Sequence, residues 1–248
     1  MKYKYGWKQD TEDHRDQYYN VALDVLQALP KSVDLRSGCS PVEDQKQLGS
    51  CTANALVGNL EFLEIKQGSP YVDLSRLFVY YQERAMEGTI DEDSGARIRD
   101  GVKSLVKFGT CPERMMPYVP EAFTVAPTPD NLAAALEHRV TSYKRVVGTL
   151  GQMRGCLAEG YPFVFGFTVY ESFESATVAR TGIMPIPDVT RERMLGGHAI
   201  MAVGYDDATK RLLIRNSWGK PWGMQGYFTM PYECALSGAD FWTLRKEG

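Results

Sequence analysis

Apolar residues in the first half of the chain recur at helical spacing. After Cys51 they stand at Ala55, Leu56, Leu60, Leu63 and Ile65, which predicts a helix of about four turns. Ser50 is a suitable N-cap for this helix, and Gly68 is a suitable stop. Further helices are predicted from Leu74 through Tyr81 with Ser75 or Asp73 as cap, from Ile98 to Gly109, and over 131–137.

From about Val140 the pattern changes to runs that are typical of β-strands. These runs cover 140–143, 161–169, 198–205, 211–216 and 226–230, with one helix predicted over 150–157. Helices in one half and strands in the other favour an α+β fold. We expect an N-terminal arm over 1–28, a mainly helical part over about 39–139 and a mainly β part over about 140–248. The cleft between the two parts is the expected site.

Composition excludes several classes of function. The chain has 28 Lys plus Arg and 31 Asp plus Glu, a net charge of −3 and a pI near 5.7, so we expect no nucleic-acid or membrane partner. No apolar run reaches the ~20 residues of a membrane span, and no signal peptide is visible, so we expect a soluble protein whose compartment stays open. We expect a monomer with no metal and no other cofactor, because no Cys/His group has zinc spacing.

Cys51 is the candidate nucleophile. A thiol attacks a carbonyl as the thiolate, which a helix N-terminus, a nearby cation and exposure all favour. Of the three histidines, His14 lies in the arm and His138 follows a charged helix end, so we expect both to be solvated. His198 opens an apolar strand after two glycines, a rigid position for a catalytic base. Taken singly, each of these residues also fits an ordinary structural role.

Together, these residues occur within motifs that resemble the papain family of cysteine peptidases. The resemblance runs from about Leu29 to Thr243. Its motifs are Leu29-Pro30 with Val33-Asp34-Leu35-Arg36, Pro41 through Gln45, Gly49-Ser50-Cys51, Pro117-Tyr118, Gly197-His198-Ala199-Ile200 with Val203-Gly204-Tyr205, and Asn216-Ser217-Trp218-Gly219 with Trp222-Gly223 and Gly226-Tyr227. The last block is the most specific of them.

The resemblance implies an endopeptidase that hydrolyses peptide bonds through a thioester on Cys51. His198 would form an ion pair with the thiol, protonate the leaving amine and later activate water. Asn216 would orient the imidazole, as the third member of a catalytic triad does. Gln45 would donate a side-chain N–H to the oxyanion hole, and the backbone N–H of Cys51 would supply the second donor.

The resemblance also implies the fold and the substrate contacts. It predicts a papain-like two-lobed structure, with a helical lobe, an antiparallel β-barrel-like lobe and the active-site cleft between them. Peptide or protein substrates would bind there in an extended form, with their backbone against Gly95. Trp218 would cover the bond between His198 and Asn216 and keep water from it.

Several residues depart from the family's usual pattern. Leu48 stands where the family usually has a cysteine, and Thr52 stands where it usually has a tryptophan, so the neighbouring disulfide is absent. We expect Cys39 to pair with Cys111, since both follow loops of the helical half. Only about 28 residues precede Leu29, instead of a long helical pro-region. These features are typical of a bacterial or otherwise divergent branch.

Two other functions stay open at this point. A papain-like scaffold that only binds would lack one of the catalytic groups, and none is lost. An acyltransferase could share the Cys–His pair, and the products formed with an added amine would distinguish it from a hydrolase. The aromatic arm is either a short pro-segment or a permanent part of the chain, and we expect it to run along the cleft and limit access.

Overall fold

The computed structural model describes residues 3–246 of the chain. The helices are α1 (Leu23–Gln27), α2 (Cys51–Lys66), α3 (Arg76–Glu87), α4 (Ile98–Lys107), α5 (Pro129–Ala135), α6 (Leu150–Ala158), α7 (Ala176–Thr181) and α8 (Tyr232–Leu236). Short 3₁₀ turns lie at Arg36–Gly38, Pro120–Ala122 and Glu171–Glu174. Every helix predicted from periodicity is therefore present, with ends within a few residues of the predicted ones.

The strands follow the same division of the chain. They are β1 (Trp7–Lys8), β2 (Tyr18–Tyr19), β3 (Ser32–Asp34), β4 (Ala96–Arg97), β5 (Ser142–Val146), β6 (Phe163–Tyr170), β7 (Met194–Asp206), β8 (Arg211–Arg215), β9 (Tyr227–Pro231) and β10 (Ala239–Arg245). The large sheet has the order β2-β5-β10-β6-β7-β8-β9, with β3 added beside β7. The fold is α+β in two lobes.

The large sheet departs from the predicted barrel-like lobe in two ways. Within residues 3–246 no ladder joins β2 to β9, so the sheet stays open at its ends. Its ladders are antiparallel except for β2, which pairs in parallel with β5. The parallel strand comes from the arm, for which no strand was predicted.

The hydrophobic core has two parts that share strands β6 and β7. One part lies between these strands and helices α2, α3 and α4, and it includes Leu56, Leu60 and Met201. The other lies on the opposite face of the sheet and includes Phe165 and Phe228. Successive side chains of a strand point to opposite faces, which is why β6 and β7 can serve both clusters.

Two predicted details are wrong. All five cysteines are free, so Cys39 and Cys111 form no disulfide. Cys39 instead directs its thiol to the carbonyl of Leu35 at 3.6 Å. His138 is not solvated, because its Nδ1 lies 3.0 Å from both carboxylate oxygens of Glu64. His14 is exposed, as predicted.

The longest helix of the described part of the chain has 16 residues, and no helix there is both long and apolar enough to cross a membrane.

Candidate active site

Cys51 is the first residue of α2 and is fully buried at the boundary between the lobes. Ser50 occupies the N-cap position, but its side chain makes no capping bond and instead contacts the Tyr118 hydroxyl at 2.5 Å. The thiol accepts a hydrogen bond from the backbone N–H of Ala199, at 3.4 Å, across the lobe boundary. The nucleophile candidate therefore lies beside the residue that follows His198.

His198 lies on β7 with its two ring nitrogens in different situations. Nε2 lies 2.8 Å from Oδ1 of Asn216, while Nδ1 is buried and has no hydrogen-bond partner among the described residues. The Trp218 ring stacks on the imidazole at 5.1 Å between centroids. The structure thus brings together the three residues predicted from their motifs, and it leaves one nitrogen of the histidine without a hydrogen-bond partner among the described residues.

Gln45 is completely buried, and its amide is held at both ends. Its Oε1 accepts from the Ser217 hydroxyl at 2.6 Å, which fixes Nε2 as the donor end. Nε2 donates to the carbonyl of Leu48 at 3.0 Å and to the carbonyl of Lys4 at 3.1 Å. The predicted oxyanion donor therefore already binds a peptide carbonyl, and that carbonyl belongs to the arm.

The loop that carries Gln45 is joined to the loop that carries Trp218. The N–H of Gln45 donates to the carbonyl of Ser217 at 2.8 Å, and the N–H of Gly219 donates to the carbonyl of Glu43 at 2.8 Å. The Ser217 N–H also donates to Oδ1 of Asn216 at 2.9 Å. One segment of the β lobe therefore orients both the imidazole and the oxyanion donor.

The arm passes directly over the candidate nucleophile. The backbone of Gly6 donates a hydrogen bond to the Cys51 thiol, and the Gly6 carbonyl accepts from the N–H of Ala96 at 2.8 Å. A Cβ at Gly6 would overlap the carbonyl of Gly49, and a Cβ at Gly95 would overlap the carbonyl of Gly6. Only a chain without side chains at these points can pass so close.

Aromatic side chains of the arm that precede this crossing pack on His198 and Trp218. Tyr3 stacks on Trp218 with 4.0 Å between ring centroids and 1° between ring planes. The Tyr5 ring meets His198 edge to face at 5.9 Å, and its hydroxyl donates to Glu174 at 2.5 Å. The expectation that the arm runs along the cleft agrees with these contacts.

Burial under the arm changes the ionisation of the catalytic pair. Desolvation raises the pKa of the Cys51 thiol to about 11, against hydrogen bonds from Ala199 and Gly6 that lower it. Desolvation lowers the pKa of His198 to about 4, although its bond to Asn216 acts in the opposite direction. Both shifts favour the neutral thiol and the neutral imidazole over the ion pair while the arm covers the site.

Gly95 lies directly beside the arm, where a Cβ would overlap the carbonyl of Gly6, and its contact with a substrate backbone stays a prediction. Its N–H donates to the Tyr80 hydroxyl at 3.1 Å, and its φ of +70° is in the left-handed region that favours glycine. The next residue, Ala96, pairs with the extended arm through β4. Gly95 therefore supplies space, and Ala96 supplies the hydrogen bond.

No metal centre competes with this interpretation of the site. Residues 3–246 contain no group of three or more His, Cys, Asp or Glu side chains arranged to hold an ion.

A thiol at a helix N-terminus, a histidine on the adjoining strand and an asparagine on one of its ring nitrogens are the groups that papain-like cysteine peptidases use. Comparison with known proteins agrees with this class. The sequence profile described as "Papain family cysteine protease" matches residues 29–239. The chain therefore belongs to the papain family, and it is a cysteine-type peptidase.

Individual relatives show how far this similarity extends. A peptidase C1-like protein of Acanthamoeba polyphaga mimivirus is 40% identical over 90% of this chain and 75% of its own. Cysteine proteinase 3 of Entamoeba histolytica is 28% identical over 83% of this chain, which spans 64% of that protein's length. The crystal structure of xylellain, a cysteine protease from Xylella fastidiosa, is 39% identical with a TM-score of 0.91, and the similarity covers 98% of this chain and 96% of that one.

Sequence reasoning missed the residues of the arm that enter the site and the residues of both lobes that hold them. Lys4 forms an ion pair of 2.6 Å with Asp93, whose carboxylate also accepts from the N–H of Gly49 at 3.0 Å. The indole of Trp7 donates to Asp240 at 3.2 Å. The run of aromatic residues near the N-terminus suggested that the arm packs on the rest of the protein, but it did not indicate which residues the arm contacts.

Proposed function

We propose that this chain is an endopeptidase in which Cys51 is the nucleophile, His198 the general acid and base, Asn216 the residue that orients His198, and Gln45 an oxyanion donor. The observation that carries this proposal is the state of the His198 ring. Asn216 holds one nitrogen, the other nitrogen is buried without a partner among the described residues, and the thiol of Cys51 contacts the N–H of the next residue, Ala199. A purely structural histidine at full burial would have both nitrogens satisfied.

In the proposed reaction, Nδ1 of His198 takes the proton of the Cys51 thiol. The thiolate attacks the substrate carbonyl carbon, and Nε2 of Gln45 stabilises the oxyanion together with the N–H of Cys51. His198 then gives its proton to the leaving amine, which leaves a thioester on Cys51. Water, deprotonated by His198, hydrolyses the thioester and restores the thiol.

The direct test is cleavage of a quenched internal peptide, with the fragments identified by mass spectrometry. Replacement of Cys51 by Ala should lower kcat by at least about three orders of magnitude while the circular dichroism spectrum stays unchanged. Full activity of Cys51→Ala would refute the assignment. An epoxide inhibitor supplies a second measurement, because E-64 is the ligand of a solved cysteine protease from Carica candamarcensis with the same fold. It should add one adduct on Cys51, whereas a scaffold that only binds would give none.

The same experiment distinguishes hydrolysis from acyl transfer. With an added amine nucleophile in excess, an acyltransferase would give mainly the amide product, whereas we expect mainly the free acid. Substrate proteins and peptides are the proposed partners. A monomer is proposed as well, and light scattering at assay concentration would test it.

We propose further that residues 1–28 keep the enzyme latent. Support comes from three contacts in the cleft: Lys4 on Gln45, Gly6 on Cys51, and Tyr3 on Trp218. Each occupies a position that the proposed mechanism needs for substrate. Withdrawal of the arm would rehydrate the catalytic pair, so the pKa values of Cys51 and His198 would move back toward each other and the ion pair would form more readily.

A single methyl group offers a test of latency without truncation. Gly6→Ala should expel the arm, because its Cβ has no space beside Gly49, and turnover should rise about tenfold or more. Gly148→Ala is the matched control, since the nearest atom to its Cβ would be Phe241 Cε2 at an ordinary 3.5 Å. Equal turnover in both variants and the parent would contradict the proposal.

A further inference from the structure

Asp10 of the arm lies in a pocket that the body of the protein, residues 29–246, builds from three separate elements. The Asp10 side chain is completely buried. Its carboxylate accepts from the Trp242 indole N–H of β10 at 2.9 Å, from Nη2 of Arg145 on β5 at 3.0 Å and from the backbone N–H of Arg99 at 3.1 Å. Arg99 is the second residue of α4, so its N–H is one of the donors that a helix end leaves unpaired. We call this group of donors the anion pocket.

The two guanidinium groups of the anion pocket take most of their partners from the arm. Arg99 is buried, and its terminal nitrogens donate to the carbonyl of Thr11 and to the carboxylate of Asp16, while its Nε has no partner among the described residues. Nε of Arg145 donates to Asp16 at 2.6 Å. The described part of the body supplies one carboxylate to this pair of cations, Asp240, which lies 3.4 Å from Nη1 of Arg145.

Withdrawal of the arm reverses the charge balance of the anion pocket. With the arm docked, the carboxylates of Asp10, Asp16 and Asp240 face two guanidinium groups. Without the arm, the two guanidinium groups and Asp240 remain, so one positive charge is in excess. Guanidinium groups bind carboxylates through charge-assisted hydrogen bonds, so the open pocket has the charge and the donors for one external carboxylate.

The anion pocket lies on the path of a chain through the cleft, beyond the contacts with the nucleophile. Gly6 contacts the Cys51 thiol, and β1 follows before the arm reaches Asp10. Four residues of extended chain span at most about 14 Å, so the pocket is within this distance of the crossing point. Oδ2 of Asp240 also accepts from the backbone N–H of Asp10 at 2.8 Å, so main chain and side chain are both bound there.

Resting on the proposed peptidase function, we propose that the anion pocket binds an acidic residue of the substrate. In the open enzyme, a glutamate or aspartate of an extended peptide takes the place of Asp10, about four residues from the position that Gly6 holds over Cys51. The pocket lies away from the reacting atoms, so it stabilises the bound substrate and the transition state equally. An acidic residue at this place therefore lowers KM and leaves kcat nearly unchanged.

The test uses a full-length enzyme whose arm has lost its own carboxylates, the triple variant Gly6→Ala, Asp10→Ala, Asp16→Ala. Quenched peptides carry Glu or Gln at one position, which is moved in turn from three to six residues away from the cleaved bond, on either side. At one position we expect kcat/KM for Glu to exceed that for Gln by about tenfold, through KM. The preference should decrease as the sodium chloride concentration is raised.

A second measurement does not depend on turnover. Adding Cys51→Ala to the triple variant gives an enzyme that binds peptides without cleaving them. Isothermal titration should show a Kd about tenfold lower for the Glu peptide than for the Gln peptide.

Further variants assign the effect to the guanidinium groups. Adding Arg145→Gln should abolish the preference for Glu over Gln, and Arg145→Lys should keep part of it, because lysine retains the charge without the planar fork. An epoxide adduct on Cys51 checks that each variant is folded. Arg191→Gln is the matched control and should leave the preference unchanged, because the Arg191 side chain is 85% exposed and pairs with Asp188.

The outcomes distinguish this inference from the function on which it rests. No hydrolysis of any peptide, with no epoxide adduct on Cys51, would contradict the peptidase proposal, and the titration would still decide about the pocket. Equal values for Glu and Gln at every position, in hydrolysis and in titration, would overturn the pocket alone. A preference for Glu that survives Arg145→Gln, or that is lost to the same extent in Arg191→Gln, would also overturn it.

Discussion

The arm over residues 3–28 and the body over 29–246 are held in different ways. The body is built around two large apolar clusters that share β6 and β7. The arm has strands of two residues each and a five-residue helix without a buried side chain, and its buried apolar residues are Tyr19 and Val21. These two residues belong to the second cluster, and further side chains of the arm pack against its edge, while the remaining contacts of the arm are short strand pairs, hydrogen bonds, ion pairs and stacked rings. Because the arm contributes far fewer buried apolar side chains than the body does, we expect it to undock without unfolding of the body.

Removal of one leucine from each region should show the largest difference. Leu60→Ala creates a cavity in the α2 cluster, where the side chain is fully buried, and should lower the free energy of unfolding by about 2–5 kcal/mol. Leu23→Ala, at a residue 70% exposed in α1, should change it by less than about 0.5 kcal/mol. Urea unfolding measures both. A similar loss in the two variants would mean that arm and body fold as one unit.

Gln45 lies where the two regions meet. Its removal should lower the rate of catalysis but leave the reactivity of the Cys51 thiol nearly unchanged. In the Gly6→Ala background, Gln45→Ala should lower kcat by about 10²–10³, the usual effect of losing one oxyanion donor. Alkylation of Cys51 by iodoacetamide develops no oxyanion, so its rate should stay within a few-fold. A parallel loss in both rates would instead indicate that Gln45 only supports the fold.

The ionic anchor of the arm predicts a dependence on pH. Asp10, Asp16 and Asp240 face the two cations Arg99 and Arg145, so one carboxylate is in excess. Burial raises the pKa of Asp10 to about 6, and repulsion from the Asp240 carboxylate is the second cause of this increase. The pKa of Asp16 stays below its usual value, because bonds from the two arginines outweigh its burial.

The sign follows from proton binding. Between pH 4 and 6 the docked arm holds a proton on Asp10 that the free arm has lost, so raising the pH weakens docking, by roughly 10- to 100-fold across this range. The lowered pKa of Asp16 acts in the opposite direction, because its free carboxyl loses a proton as the pH rises, and this effect fades above the ordinary pKa of 3.8. Hydrogen exchange of residues 3–20 in a Cys51→Ala background, corrected for intrinsic rates, should show opening that increases with pH. Asp10→Asn should flatten this increase, and an unchanged slope would exclude Asp10 as its source.

The smallest effect is expected at the outer end of the arm. Tyr3→Ala removes the ring stacked on Trp218 and should weaken docking by about 0.5–1.5 kcal/mol, which raises turnover roughly two- to tenfold. Tyr18→Ala, at a residue 56% exposed, is the matched control and should leave turnover unchanged. A larger effect at Tyr18 than at Tyr3 would mean that the arm is held mainly outside the cleft.

The parts of this structure that sequence predicts are those with local or motif signals. The helix at Cys51 follows from apolar spacing, and the Ser75 cap of α3 follows from residue type, with its side chain accepting from the N–H of Phe78. The grouping of Cys51, His198 and Asn216 came from motif resemblance, and the geometry agrees with it. The assignment of their roles stays a prediction.

The features that escaped prediction depend on contacts between distant residues. The β1 strand has only two residues, which is too short to show the alternation of apolar and polar residues that predicts a strand. It forms because Trp7 and Lys8 pair with Ala96 and Arg97 of β4. In the sequence, Asp240 is a single polar residue in an apolar strand, and nothing there indicates its contacts. The structure shows that the strand is irregular at this point and that the Asp240 carboxylate accepts a hydrogen bond from Trp7. The Cys39–Cys111 pairing was wrong because loop position in a sequence says nothing about distance in space.

The joined loops at Gln45 and Ser217 have a mechanical consequence. Main-chain hydrogen bonds pin the two lobes together at one end of the cleft, so the lobes can separate there only by breaking them. Asn216, which holds the imidazole, belongs to one of these loops, and Gln45 belongs to the other. A displacement of one loop would therefore be transmitted to the other, so the imidazole and the amide of Gln45 would keep their relative positions while a chain enters or leaves the cleft.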